Sequence, residues 1–252
     1  MIHGFLDCKE TFFPVEDILS ERFNIVSYDM RGHGDSAHAP DHVYTYQHSL
    51  IDLKRVAERF LPQKYSLLGH SYGAAMAARF AGLYPEKIRS LVLFEGFSGR
   101  KIPAEEAERI KSWFDEYIDR DYDEKWMKEA TLEKILKGLY PRHSSENLAL
   151  IKMYLTRKTE KGFRWKYDPY LKNTFPMPFP PELSRELWSR ITCPVFLAMG
   201  KNSHLYPPEM AEILGYFKNV TFREIPDAGH NIHHDQPDAL NSELSAFFRA
   251  AI

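Results

Sequence analysis

In Tyr65-Ser-Leu-Leu-Gly-His-Ser71-Tyr-Gly-Ala-Ala75 an apolar run stops abruptly at a glycine and small residues take over. Tyr65 to Leu68 reads as a short buried strand, and an alanine-rich helix is expected from Tyr72 to about Leu83. Gly69, Ser71 and Gly73 fit G-x-S-x-G, the turn that holds a serine at the tip of a sharp strand-to-helix bend. Such a bend drives the serine into sparsely allowed backbone angles, and side chains two positions away would clash. Short glycine patterns arise by chance; the strand before and the small-residue helix after give this one its meaning. Ser71 is therefore a candidate nucleophile, the alternative being an ordinary helix-capping serine.

Three further motifs flank this turn. Met1-Ile-His3-Gly4-Phe5-Leu-Asp7 is a His-Gly loop near the start. Phe23-Asn-Ile-Val-Ser-Tyr-Asp29-Met-Arg31-Gly-His33-Gly-Asp35-Ser36 reads as a strand followed by a glycine-rich turn. Val220-Thr-Phe-Arg-Glu-Ile-Pro226-Asp-Ala-Gly229-His230 reads as a strand ending in Gly-His. Together the four resemble the alpha/beta-hydrolase superfamily, with its D-x-R-G-x-G-x-S signature and its order of serine, acid, then histidine. The resemblance spans roughly residues 1–98 and 191–252. It implies an α/β fold, with a mostly parallel sheet flanked by helices and a helical cap inserted. It also implies His230 as catalytic base, and the N–H groups of Phe5 and Tyr72 as an oxyanion hole.

The acid departs from the common pattern. Many members carry Gly-x-x-Asp after the strand corresponding to Pro194–Met199, but here the stretch is Gly200-Lys-Asn-Ser203-His204. A hydroxyl cannot carry the charge that stabilises an imidazolium, so Ser203 is expected to contribute little. The strand Ser90–Phe94 ends in Glu95, where some branches, certain haloalkane dehalogenases among them, place their acid. Glu95 is thus the candidate acid. The alternatives are a surface or cap-facing role for Glu95, and Asp227 or Asp29 as the acid, although Asp227 reads more as a turn residue and Asp29 as a support for its own loop.

The words Glu95-Gly-Phe97, Phe163-Arg-Trp165-Lys-Tyr-Asp168-Pro169, Ile191-Thr-Cys-Pro194 and His230-Asn-Ile-His-His234 look like the serine hydrolase-like branch. That branch implies an esterase-type enzyme. At 252 residues the chain can bury a sizeable core, and its net charge of −2 leaves no footprint for nucleic acid or an anionic membrane. Two cysteines make no disulfide framework, and no apolar run approaches the roughly 18 residues of a membrane span, so a cytoplasmic protein is expected. His33, His38, His42 and His48 lack a spacing that closes a metal site, and His230, His233 and His234 are read as base and loop residues. No cofactor motif is present.

Residues 1–98 and 191–252 read as core, and 99–190 as the cap. Within the cap, helices are expected over 104–118, 124–139 and 144–155, the first with Ile110, Trp113, Phe114 and Tyr117 at helical spacing. Trp113, Trp126, Tyr154, Trp165 and Tyr170 are expected to fill the cap's core rather than touch substrate. Asn173–Pro181, with its prolines, should be an extended strap bearing Phe175, Met177 and Phe179. Strands at 194–199 and 220–225 and a helix at 236–250 complete the core. Family members carry about 20 residues before the His-Gly loop, including a central strand, so a start at Met1 implies an upstream segment, a rearrangement or pairing between chains.

The expected activity is cleavage of small to medium uncharged carboxylic esters through an acyl-enzyme. Its partner is a small-molecule ester, without cofactor, nucleic acid or membrane. The alternatives are a catalytically weak binding protein, or a thioesterase, carbon–carbon hydrolase or lyase. Dehalogenase and epoxide hydrolase are disfavoured, because their elbows carry aspartate where this chain has Ser71.

Overall fold

The computed structural model describes residues 1–96, 106–119, 126–173 and 179–251. Its helices are α1 Phe13–Ser20, α2 Tyr46–Phe60, α3 Tyr72–Leu83, α4 Glu106–Asp119, α5 Glu129–Leu139, α6 Ser145–Leu155, α7 Pro181–Arg190, α8 Met210–Gly215, α9 Ile232–Asp235 and α10 Pro237–Ala251. Its strands are β1 Tyr65–His70, β2 Ile88–Phe94, β3 Thr156–Thr159, β4 Gly162–Trp165, β5 Val195–Gly200 and β6 Val220–Ile225.

The central sheet has the order β1-β2-β5-β6 and is parallel throughout. Its strands are apolar on both sides because both faces are covered, as expected for a parallel sheet. Leu67, Leu91, Leu93, Val195 and Leu197 meet α2, α3, α7 and α8, whereas Leu68, Val92, Phe94, Phe196 and Ala198 meet α1 and α10. Small side chains on α3, with Ala74, Ala77, Ala78 and Ala81 all buried, let that helix lie close to the strands.

Register brings the chemistry together. His70 stands opposite Phe94, and Phe94 opposite Ala198. The residues that follow β1, β2, β5 and β6 therefore emerge along one carboxyl-terminal edge, where open parallel sheets bind their ligands.

Residues 23–28 do not form the expected strand. Only Tyr28 pairs, in an isolated parallel bridge to Ile2, which bridges Gly69 on its other side. A strand needs a run of paired residues, and Ile2 supplies one. The Met1 ammonium meets Val26 O at 2.5 Å, extending the junction by one contact.

Between β2 and β5, α5, α6 and the β3–β4 hairpin enclose a separate cluster of Leu132, Leu136, Tyr140, Ile151, Leu155 and Phe163, with Cys8 against it. Aliphatic residues supply most of this cluster; Tyr154 and Trp165 pack at its margin. On α4 no residue is buried, and Phe114 and Ile118 are exposed. The apolar spacing there forms the helix, while its rings contact each other, Trp113 against Phe114 and Tyr117. The expected helix starts at 104 and 124 lie outside the described residues, as do strap residues 174–178 with Phe175 and Met177. Pro180 and Pro181, expected to keep the strap extended, instead open α7, where a proline at the first position loses no hydrogen bond.

Candidate active site

Ser71 sits at φ 53° and ψ −119°, outside the ordinary regions for a residue with a side chain. Two close approaches enforce the bend. A Cβ on Gly73 would lie 2.2 Å from Ile2 O, and one on Gly69 would lie 2.6 Å from Ala74 Cα. Ser71 N donates to Phe94 O at 2.8 Å, tying the tip to the neighbouring strand.

His230, in the loop after β6, places Nε2 3.0 Å from Ser71 Oγ. Its Nδ1 lies 3.3 Å from Glu95 Oε2. Glu95, just past the end of β2, is buried and sits at φ 58°. Two donors from the turn after β5 hold it: Gly200 N donates to Oε1, and Ser203 Oγ donates to Oε2 at 2.5 Å. The structure thus brings together all three residues singled out in the sequence. Asp227 is exposed in a turn at φ 55°.

The His-Gly loop packs on the elbow. A Cβ on Gly4 would lie 2.9 Å from His70 Nδ1, and the rings of Phe5 and Tyr72 lie 6.2 Å apart. His3 braces this loop: its Nδ1–H donates to Gly4 O at 2.7 Å, and its Nε2 accepts from Met30 N at 2.9 Å. Burial, helped by the nearby His33, pushes His3 down to about 3, so the ring is neutral and can play both roles. Asp7, two residues past Phe5, is pushed up to about 7, chiefly by burial against the opposing hydrogen bonds of Thr11 and Cys8 N.

Asp29 supports its own loop. Its carboxylate accepts from Lys9 N at 2.7 Å, Lys9 Nζ at 2.9 Å and Asp35 N at 3.0 Å. Burial pushes this group up, but these donors outweigh it and hold Asp29 below the usual carboxylate range.

Two contributors escaped the sequence reading. Ser203, expected to contribute little, meets Glu95 through its hydroxyl, and the adjacency of β2 and β5 is what joins them. His70, beside the nucleophile, donates Nε2–H to His230 O at 3.0 Å and so fixes the backbone of the base. His70, His233 and His234 are all buried, and Thr11 Oγ1 meets Nε2 of His233 at 3.1 Å and of His234 at 2.9 Å. Among the described residues no set of three ligating side chains is arranged to hold a metal ion. No helix among them is long and apolar enough to cross a membrane.

A cavity of about 220 Å³ lies at the far end of β1 against Ala57, Tyr65 and Phe80 and touches none of these groups. A smaller one of about 20 Å³ adjoins Phe5 and Tyr72 and is also lined by Met30, His33, Ser49 and Leu171.

The alpha/beta hydrolase fold family model matches residues 1–237. A serine hydrolase-like protein of Danio rerio is 26% identical over 268 residues, spanning 98% of this chain and 80% of that protein. Epoxide hydrolase 4 of Homo sapiens is 23% identical over 268 residues, spanning 99% of this chain and 71% of that protein. Among solved structures, a thioesterase domain from the curacin biosynthetic pathway superposes with a TM-score of 0.86 at 25% identity, covering 97% of this chain and 89% of that one. The family match runs through the His-Gly loop, the Ser71 elbow, Glu95 and His230, and by it the chain belongs to the alpha/beta hydrolase fold family.

Proposed function

We propose that the chain is a serine hydrolase that cleaves small to medium uncharged carboxylic esters through an acyl-enzyme intermediate. The observation that carries this reading is the continuous contact from Ser71 Oγ to His230 at 3.0 Å and from His230 to Glu95 at 3.3 Å. His230 Nε2 takes the proton from Ser71 as Oγ attacks the ester carbonyl. Glu95 holds the imidazole with Nδ1–H toward it and stabilises the charged ring that forms. The N–H groups of Phe5 and Tyr72 receive the developing oxyanion, and His230 returns its proton to the leaving alcohol. Water, activated by the same histidine, then releases the acid.

In this reading the described residues between β2 and β5 serve as a cap. Ser71 stands where epoxide hydrolases carry their aspartate, which argues against that chemistry despite the similarity to epoxide hydrolase 4. Thioester cleavage is a second reading, favoured by the superposition on a thioesterase domain; both reactions pass through the same acyl-serine.

A fluorophosphonate probe on the intact protein tests the reading. Labelling mapped to Ser71 and lost in Ser71→Ala is expected. No labelling would favour a binding protein that keeps the pocket without the reaction. Acetyl, butyryl and octanoyl p-nitrophenyl esters, assayed beside the matching thioesters, test substrate size and class. A highest kcat/KM on octanoyl would sink the small-acyl reading.

A further inference from the structure

We propose that Ser203 is a positioning residue: its hydroxyl fixes, and partly neutralises, the carboxylate oxygen of Glu95 that faces His230. The proposal rests on the hydrolase reading for its kinetic readout, but the coupling itself is measurable without substrate.

The geometry is specific. Ser203 Oγ donates to Oε2 at 2.5 Å, and this same oxygen lies 3.3 Å from His230 Nδ1. Oε1 is already occupied by Gly200 N, so the carboxylate is held at both oxygens by one turn. That turn is itself fixed. Ser203 N donates to Gly200 O at 3.0 Å, and Leu205 N donates to Ser203 Oγ at 3.2 Å. With its oxygen accepting from Leu205, the hydroxyl has its proton free to aim at Glu95.

A hydrogen bond from a hydroxyl stabilises a carboxylate and draws charge toward itself. Less negative charge then faces Nδ1, and removing the Ser203 hydroxyl would restore it. The other titratable groups around that ring are His70 from β1, His204 from the turn after β5, Asp7 from the His-Gly loop and His233 from α9. Asp7, pushed up to about 7, would contribute to any bulk pH profile. A probe of the His230 ring itself is therefore needed.

The test follows His230 in histidine-labelled protein by NMR across pH, in the parent and three variants. In Ser203→Ala the full carboxylate charge returns to His230, and its titration midpoint should rise by about half to one pH unit. Ser203→Thr keeps the hydroxyl and should stay near the parent. Ser203→Cys, a weaker donor, should fall between and serves if the alanine variant does not fold. The acid limb of kcat/KM for p-nitrophenyl acetate should move in the same direction, whereas loss of mere loop packing would lower the rate equally at all pH. An unmoved or lowered midpoint in a folded alanine variant overturns the proposal, as does a threonine variant that behaves like alanine. If the parent turns over no ester, the hydrolase reading fails and the NMR midpoints alone decide the role of Ser203.

Discussion

Ser71 owes its position to strain held by its neighbours. A residue with a side chain at φ 53° costs about 1–3 kcal/mol, and it persists because Gly69 and Gly73 leave no other path and Phe94 O anchors the amide. Ser71→Ala should remove measurable turnover of short p-nitrophenyl esters and leave the far-UV spectrum unchanged; the oxyanion hole alone supplies roughly 10³–10⁴ over water. Turnover within a few-fold of the parent would end its assignment as nucleophile. Glu95→Gln should lower kcat by about three to four orders of magnitude, because an amide can hold the wrong tautomer of His230. A loss below tenfold would show that another group orients the base. Both residues were legible in the sequence, since each follows an apolar strand at a family position. The partnership of Glu95 with Ser203 was not, because 108 residues separate them and only strand adjacency joins them.

At the scale of elements, the strands and helices with strong apolar periodicity stood out in the sequence, and those shaped by tertiary packing did not. β5, β6 and α10 lie within a residue of their expected bounds because their side chains serve the core on a regular repeat. The β3–β4 hairpin was invisible: Thr156-Arg-Lys-Thr159 has no apolar alternation, and Phe163 anchors it by packing into the α5–α6 cluster. That cluster is small, so its members matter individually. Leu132 is fully buried there, and Leu132→Ala should cost about 2–5 kcal/mol. For a chain of this length the melting temperature should fall by roughly 5–15 °C in calorimetry. A drop under 2 °C would mean that these helices unfold apart from the sheet.

Across the whole molecule, burial of neutral histidines sets the response to acid. Burial lowers His3 and His234 to about 3 and His33 to about 4, and holds His70 and His233 well below 6.5. In the unfolded chain these rings take up protons once the pH falls below 6.5, while the folded protein keeps them neutral. Their contribution is therefore complete above that value and is lost as the pH drops toward 4. Each can cost up to about 1.4 kcal/mol per pH unit, less where neighbouring rings share the effect. Asp7 acts in the opposite sense: raised to about 7, it is neutral in the folded state sooner than in the unfolded one and gains stability as pH falls. One carboxyl against five imidazoles leaves a net loss. Urea midpoints should thus decline steeply between pH 7 and 5, and a flat profile would show that these rings are hydrated in solution.

The sequence by itself determined the parallel α/β core and the bend at Ser71, written in local chemistry as apolar runs and glycines that permit a turn, while Glu95 and His230 were legible through the family resemblance. Tertiary structure alone decided how the strand ends are served. It set Ser203 and Gly200 as donors to Glu95, His70 as the brace of His230 O, and His3 as the neutral link between the His-Gly loop and Met30. It also decided that residues 23–28 meet the sheet at a single bridge. The physical reason is that a hydrogen bond depends on distance in space, and in a parallel sheet the neighbours along the carboxyl edge come from crossovers tens of residues apart.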